Sequence, residues 1–127
     1  MMVIDSSALI ALVQKEVTAE ACTAAIAAAD RLFLSAAVLA EVSVVAGHRG
    51  FLPQLQVLMN QMDIEVIPVD EHTAELVTAA YMVWGKGRHK AGLNLMDCFS
   101  YVTAKSLDCP LLFVGNDFSQ TDIVSAL

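Results

Sequence analysis

The chain has 127 residues, of which 57% are hydrophobic, and a formal net charge of −7. That length fits one domain burying roughly two-thirds of its unfolded surface, and the acidic balance argues against a nucleic-acid binder held by charge alone. No apolar run approaches the roughly 18 residues a membrane span needs, so a mean hydropathy of +0.61 leaves apolar surface for a protein interface, an oligomer or a tight complex.

The chain opens on a strand, Met2–Ile4, with Asp5 directly after it and no basic segment before it, which argues against a secretory leader. Three cysteines (Cys22, Cys98 and Cys109) show no metal-ligand spacing and read as free thiols of a reducing, cytoplasmic setting. A helix over Ser7–Gln14 comes next, then an alanine-rich helix over Thr18–Ala29. The strand Leu32–Leu34 leads to a helix over Ala36–Ala46, with Ser35 as its N-cap and Gly47 as its stop. Phe51–Met62 forms a helix, Ile64–Ile67 the third strand, and Asp70 caps a helix over Glu71–Trp84 that Gly85 ends. Asn94 caps the last helix, Leu95–Leu107, and Leu111–Val114 is the final strand. Strands separated by helices and apolar on both faces indicate a central parallel sheet covered on both sides. The expected fold is a three-layer α/β/α sandwich, one domain over residues 1–127, with ligands beyond the carboxyl ends of the strands.

Four carboxylates sit where a fold does not ordinarily need them. Asp5 follows the first strand; it either caps the next helix or serves a site, with Ser7 capping too or orienting Asp5 or a water. Glu41 lies mid-helix among Val38, Leu39, Ala40, Val42 and Val44, where no rotation gives it a broad polar face. A carboxylate in such surroundings needs a cation, a partner or a proton, unless it reaches solvent at an edge. Asp97, three residues after Asn94, is placed for a capping box and for the helix dipole, or for a site. Asp117, after Gly115 and Asn116, is either ordinary turn chemistry or a fourth acid at a strand's carboxyl end. A parallel sheet can bring all four to one edge, where like charges repel or bind protons unless a cation intervenes. Hard oxygen donors of this kind suit Mg²⁺ or Mn²⁺, and such a centre can activate water for phosphoryl displacement. Bound cations would offset part of the negative charge, so a phosphate-bearing substrate stays open.

The segments Val3-Ile4-Asp5-Ser6-Ser7-Ala8-Leu9, Ala40-Glu41-Val42, Gly85–Asn94 leading into Asp97-Cys98-Phe99-Ser100-Tyr101, and Leu111–Phe118 with Thr121-Asp122-Ile123 occur in order and at suitable spacing. Together they resemble the PIN-domain family, especially its VapC-type toxins, over nearly the whole chain. The resemblance implies a PIN-like fold and Mg²⁺- or Mn²⁺-dependent endonucleolytic cleavage of RNA, commonly tRNA or ribosomal RNA, leaving 5′-phosphate and 3′-hydroxyl ends. It implies the toxin half of a type II toxin–antitoxin pair, a homodimer silenced by a VapB-like antitoxin. Carried onto this sequence, Asp5, Glu41, Asp97 and Asp117 are the acidic quartet and metal ligands, with Ser7 assisting. Two departures stand out: Met96 occupies a position where relatives often have a small residue, and Asn116 leaves Asp117 without a second acid beside it. The second departure weakens the case for a second tightly held ion; Asp122 is either its replacement or an N-cap.

Lys86, Arg88 and Lys90, with His89 between them, concentrate three of the seven basic residues within five positions. Glycines 85, 87 and 92 predict a mobile loop. Its cations either favour the preceding helix's C-terminus or contact substrate phosphate just before the Asp97 helix; Arg49 is a weaker candidate for the second role. His72 with Glu71 and Glu75 makes no HExxH motif, His48 reads as surface, and Tyr81 and Trp84 are spaced as packing residues. Two other classes compete. A receiver-like signalling domain needs a phospho-acceptor Asp after a central strand and a Lys after a late one, yet Ile67 leads into Pro68-Val69 and Val114 into Gly115-Asn116. A catalytically inactive PIN-like binding module finds little support in an intact quartet.

Overall fold

The computed structural model describes all 127 residues. In chain order they form β1 (Met2–Ile4), α1 (Ser6–Val13), α2 (Ala19–Ala28), β2 (Leu32–Ser35), α3 (Ala36–Arg49), α4 (Leu52–Met62), β3 (Glu65–Ile67), α5 (Glu71–Trp84), α6 (Leu95–Leu107) and β4 (Leu111–Leu112), with a 3₁₀ turn at Phe118–Gln120. The sheet is parallel throughout, in the order β3-β2-β1-β4.

Alternation along the strands divides the core in two. Met2, Ile4, Leu32, Leu34 and Leu112 pack on one face with Ala8, Leu9, Val38, Val42 and Leu55 of α1, α3 and α4. Val3, Phe33, Leu111 and Phe113 face the other way onto Val77, Ala80, Cys98, Tyr101 and Val102 of α5 and α6. Successive strand side chains point to opposite faces, and helices cover both. This is the expected three-layer sandwich.

The chain builds outward from β1 to β2 to β3, then returns to add β4 on β1's other side. The strand order therefore reverses between β1 and β4, and crevices of doubly wound sheets open at the carboxyl ends of strands flanking such a reversal. Asp5 lies at that point, its backbone N–H donating to Leu112 O at 2.9 Å.

Several boundaries depart from expectation for local reasons. α3 runs past Gly47 to Arg49; Gly50, at φ +80°, takes the left-handed C-cap and donates to the carbonyls of Ala46 and Gly47. Ser35 is the N-cap residue of α3 as expected, but it is also a buried strand residue paired with Ile67, and its side chain makes no cap bond. β4 pairs over two residues only, although Phe113 stays in the core. Gly85 does end α5, and it is sterically required: a Cβ there would lie 2.4 Å from the Tyr81 carbonyl oxygen and 2.8 Å from the Tyr81 ring. The three cysteines are free thiols. No helix is long and apolar enough to cross a membrane.

Candidate active site

Asp5 is 5% exposed, and three donors hold its carboxylate. Oδ2 accepts from the backbone N–H of Ser7 at 3.1 Å and from the Ser7 hydroxyl at 2.7 Å. Oδ1 accepts from the Ser100 hydroxyl at 2.5 Å. Asp5 is thus the N-cap of α1 and lies at the strand reversal. Ser7 orients Asp5 and is not itself the cap; its oxygen also accepts from the Val114 N–H at 3.0 Å, fastening the segment that runs on to Asp117.

Asp97 lies in the first turn of α6 and forms a reciprocal capping box with Asn94, its N–H donating to Asn94 Oδ1 at 2.8 Å and its Oδ2 accepting from the Asn94 N–H at 2.9 Å. Burial pushes its carboxyl up to about 6; the Asn94 N–H opposes that shift, and the charges of Asp5, Asp117 and Glu41 add to it. Glu41, half-buried on α3, is likewise raised, first by burial and then by the Asp5 charge, with the Ser6 hydroxyl partly offsetting both. Asp117 is exposed at the start of the 3₁₀ turn and makes no side-chain cap bond. Asp97 is therefore close enough to feel the charges of the other three acids, and Glu41 that of Asp5.

No cation of the protein offsets them. The three ion pairs, Met1–Asp30, Arg31–Glu65 and Lys105–Asp122, all lie outside the group. An uncompensated set of hard carboxylate oxygens, one of them pushed towards protonation by burial and then by its neighbours' charge, suits a divalent cation. As placed, no three of them are gathered to ligate one ion directly. Mg²⁺ is usually held through one or two carboxylates with water completing the octahedron, which does not require such a cluster.

The basic loop is more ordered than its glycines suggest. Lys86 N–H donates to Leu93 O and Leu93 N–H to Trp84 O, closing its base, while Arg88 and His89 N–H both donate to Gly85 O. His89 packs edge-on against Trp84, ring centroids 4.8 Å apart, and its Nδ1 accepts from the Ala91 N–H. Backbone bonds replace the slack that Gly87 and Gly92 allow. Arg88 Nε donates to Met82 O near the end of α5, the helix-terminus role foreseen as one alternative. Lys86 and Lys90 are exposed, and Arg49 pairs instead with Gln14 Oε1.

A PIN-domain family model matches residues 2–124, a span that contains all four acids. Ribonuclease VapC30 of Mycobacterium tuberculosis is 41% identical over 98% of this chain and 97% of its own. Ribonuclease VapC of Mycolicibacterium smegmatis is 39% identical over 98% of each. The chain belongs to the PIN-domain family, among the VapC ribonucleases. Two solved structures share this fold: VapC20 of M. tuberculosis, described as a sarcin–ricin-loop-cleaving toxin, superposes with a TM-score of 0.78 at 16% identity over 98% of this chain and 97% of its own. A toxin–antitoxin complex from Klebsiella pneumoniae gives 0.76 at 19%, over 100% and 98%.

Within this PIN domain, sequence reading missed Ser100. The signal was available: a serine one turn after Asp97, on the helix face that Asp97 occupies. Asp122 is not an N-cap, since no helix follows it. Its carboxylate accepts from Tyr101 Oη at 2.6 Å and from Lys105 Nζ at 3.1 Å, which holds it below its ordinary range. Tyr101 Oη also accepts from Trp84 Nε1 at 3.1 Å. Trp84 is thus a packing residue with a satisfied indole, as its spacing suggested.

Proposed function

We propose that this protein is a Mg²⁺- or Mn²⁺-dependent endoribonuclease, the toxin of a type II toxin–antitoxin pair. One observation carries the reading: at the reversal of strand order, Asp97 is pushed towards protonation by burial and by three further carboxylates that no basic residue neutralises. The naming of its 41%-identical relatives as ribonucleases supports RNA as substrate. A bound divalent ion supplies water activation and charge neutralisation at phosphorus. Asp5 and Asp97 are the residues assigned to hold it, with Glu41 and Asp117 completing the negative site. Ser7 keeps Asp5 in place. Lys86 and Lys90 are assigned to substrate phosphates, with Arg88 shared between that role and the end of α5.

The single domain works in the cytoplasm on a structured site of tRNA or ribosomal RNA, and the loop-cleaving activity named for VapC20 supports such a target. Its partner is a VapB-like antitoxin, a reading supported by the fold shared with a toxin–antitoxin complex. A second copy of the chain is the remaining partner. Half or more of the surface of Met82 and Val83 on α5 is exposed, beside an apolar groove of about 370 Å³ between α5 and α6. Purified protein cleaves RNA with Mg²⁺ or Mn²⁺ and stops with chelator, and Asp97→Asn and Asp5→Ala abolish cleavage and growth toxicity with the fold intact. Full activity in chelator, or in either variant, overturns the assignment.

A further inference from the structure

We propose that Ser100 is a positioning residue which, with Ser7, fixes Asp5 as a one-point ligand for the divalent ion. The inference rests on the metal-site reading above and deepens it.

An ionised carboxylate offers about four lone-pair positions over its two oxygens. On Asp5 three are taken. Oδ2 receives both Ser7 donors, and Oδ1 receives the Ser100 hydroxyl at a distance typical of a strong, charge-assisted bond. One position remains, on Oδ1. Chelation by both oxygens would displace a Ser7 donor. The Ser7 hydroxyl is held in turn, because its own oxygen accepts from Val114 N–H and its proton is directed to Asp5. A single rigid oxygen is what an octahedral ion with several waters demands of a protein ligand.

Ser100 also sets a distance. It stands three residues after Asp97 on α6, and residues at that separation share a helix face. Its bond to Asp5 docks the helix that carries the third acid onto the end of the strand that carries the first. Ser100 is fully buried, so no solvent hydroxyl substitutes when its own is removed. Outer-shell partners of this kind are typically worth about 10- to 100-fold in metal affinity or activity.

The test titrates Mn²⁺ alone into the purified full chain by calorimetry or paramagnetic resonance. Ser100→Ala binds Mn²⁺ about tenfold or more weakly than wild type. Its RNA cleavage recovers as Mn²⁺ is raised, so the half-saturating metal concentration moves further than the rate at saturation. Ser100→Cys, close in size and a weaker donor, loses several-fold and carries the test should the alanine variant not fold. Mn²⁺ affinity within twofold of wild type in a folded variant overturns the proposal, whatever happens to its melting temperature. Wild-type protein that binds no Mn²⁺ overturns the metal-site reading itself, and this inference with it.

Discussion

Helix α6 meets acids at two places, one on its own first turn and one brought against it by the C-terminal segment, and the protein treats them oppositely. Near its start, Asp97 shares its surroundings with Asp5, Glu41 and Asp117, and its carboxyl rises to about 6. Near its end, Asp122 is met by Tyr101 and Lys105 and falls below the usual carboxylate range. A fold that needed only stability would neutralise both groups. It spends a lysine and a tyrosine on Asp122 and leaves the quartet with nothing but serines and backbone N–H groups. Charge left uncompensated by the chain is charge available to a cation from outside. Perturbed carboxyls gather at functional sites for that reason.

The comparison breaks most visibly through activity. Asp97→Asn keeps the shape and the capping acceptor for Asn94 N–H but removes the charge. Cleavage falls by more than about 100-fold, since loss of a ligand exceeds the effect of an outer-shell change. On the other side, Tyr101→Phe leaves the Trp84 N–H and Asp122 without their hydroxyl partner and costs on the order of 1 kcal/mol, a melting drop of a few degrees. Its cleavage at saturating metal stays within about twofold of wild type. A collapse of activity in Tyr101→Phe would merge the two sides into one site.

Much of this was legible in the sequence, and the exceptions share a cause. Strands and helices were readable because apolar runs such as Leu32–Leu34 and caps such as Asp70 and Asn94 act locally. Glu41 stood out because it had no polar helix face to occupy. What was not legible depended on partners far along the chain. Ser100 meets Asp5 across 95 positions, and Ser7 meets Val114 across 107. Asp122 looked like a spare acid until folding set Tyr101 and Lys105 against it. Gly47 read as a stop because glycine disfavours helix interiors, yet the left-handed turn needed to end α3 falls at Gly50.

A stability measurement sharpens the comparison with a smaller effect. An unfolded Asp titrates near 4, whereas folded, metal-free Asp97 titrates near 6. Between those values the native state holds a proton that the unfolded chain has released. Stability of the metal-free protein therefore falls as pH rises through that window, by at most about 2.7 kcal/mol for two units and, because Asp97 is partly open to solvent screening, on the order of 1–2 kcal/mol. Metal-free Asp97→Asn, which carries no such charge, melts above wild type at neutral pH by a few degrees. Added Mn²⁺ raises the wild-type melting temperature and leaves the variant nearly unmoved. A variant that melts lower than wild type in the absence of metal would show that the crowding costs the fold nothing.

The smallest effect lies in the basic loop, which leads into the same helix from outside. Arg88 already donates to Met82 O, so Arg88→Ala loosens the end of α5 as well as removing a charge. Lys86 and Lys90 are exposed and enter none of the protein's ion pairs, which leaves their charge for a ligand. A lysine on a phosphate contributes through counterion release, so each contact removed lowers the slope of log affinity against log salt by about 0.7 for single-stranded nucleic acid. Replacing both with alanine weakens RNA binding several-fold at low salt, flattens the salt dependence by about 1.4, and leaves the rate at saturating RNA and the melting temperature unchanged. An unchanged salt slope would make these lysines a solvated face, and the search for substrate contacts would move to the α3 end near Arg49. A flattened slope with a normal saturated rate would divide the work: the loop holds the RNA backbone, and the acids act on one bond within it.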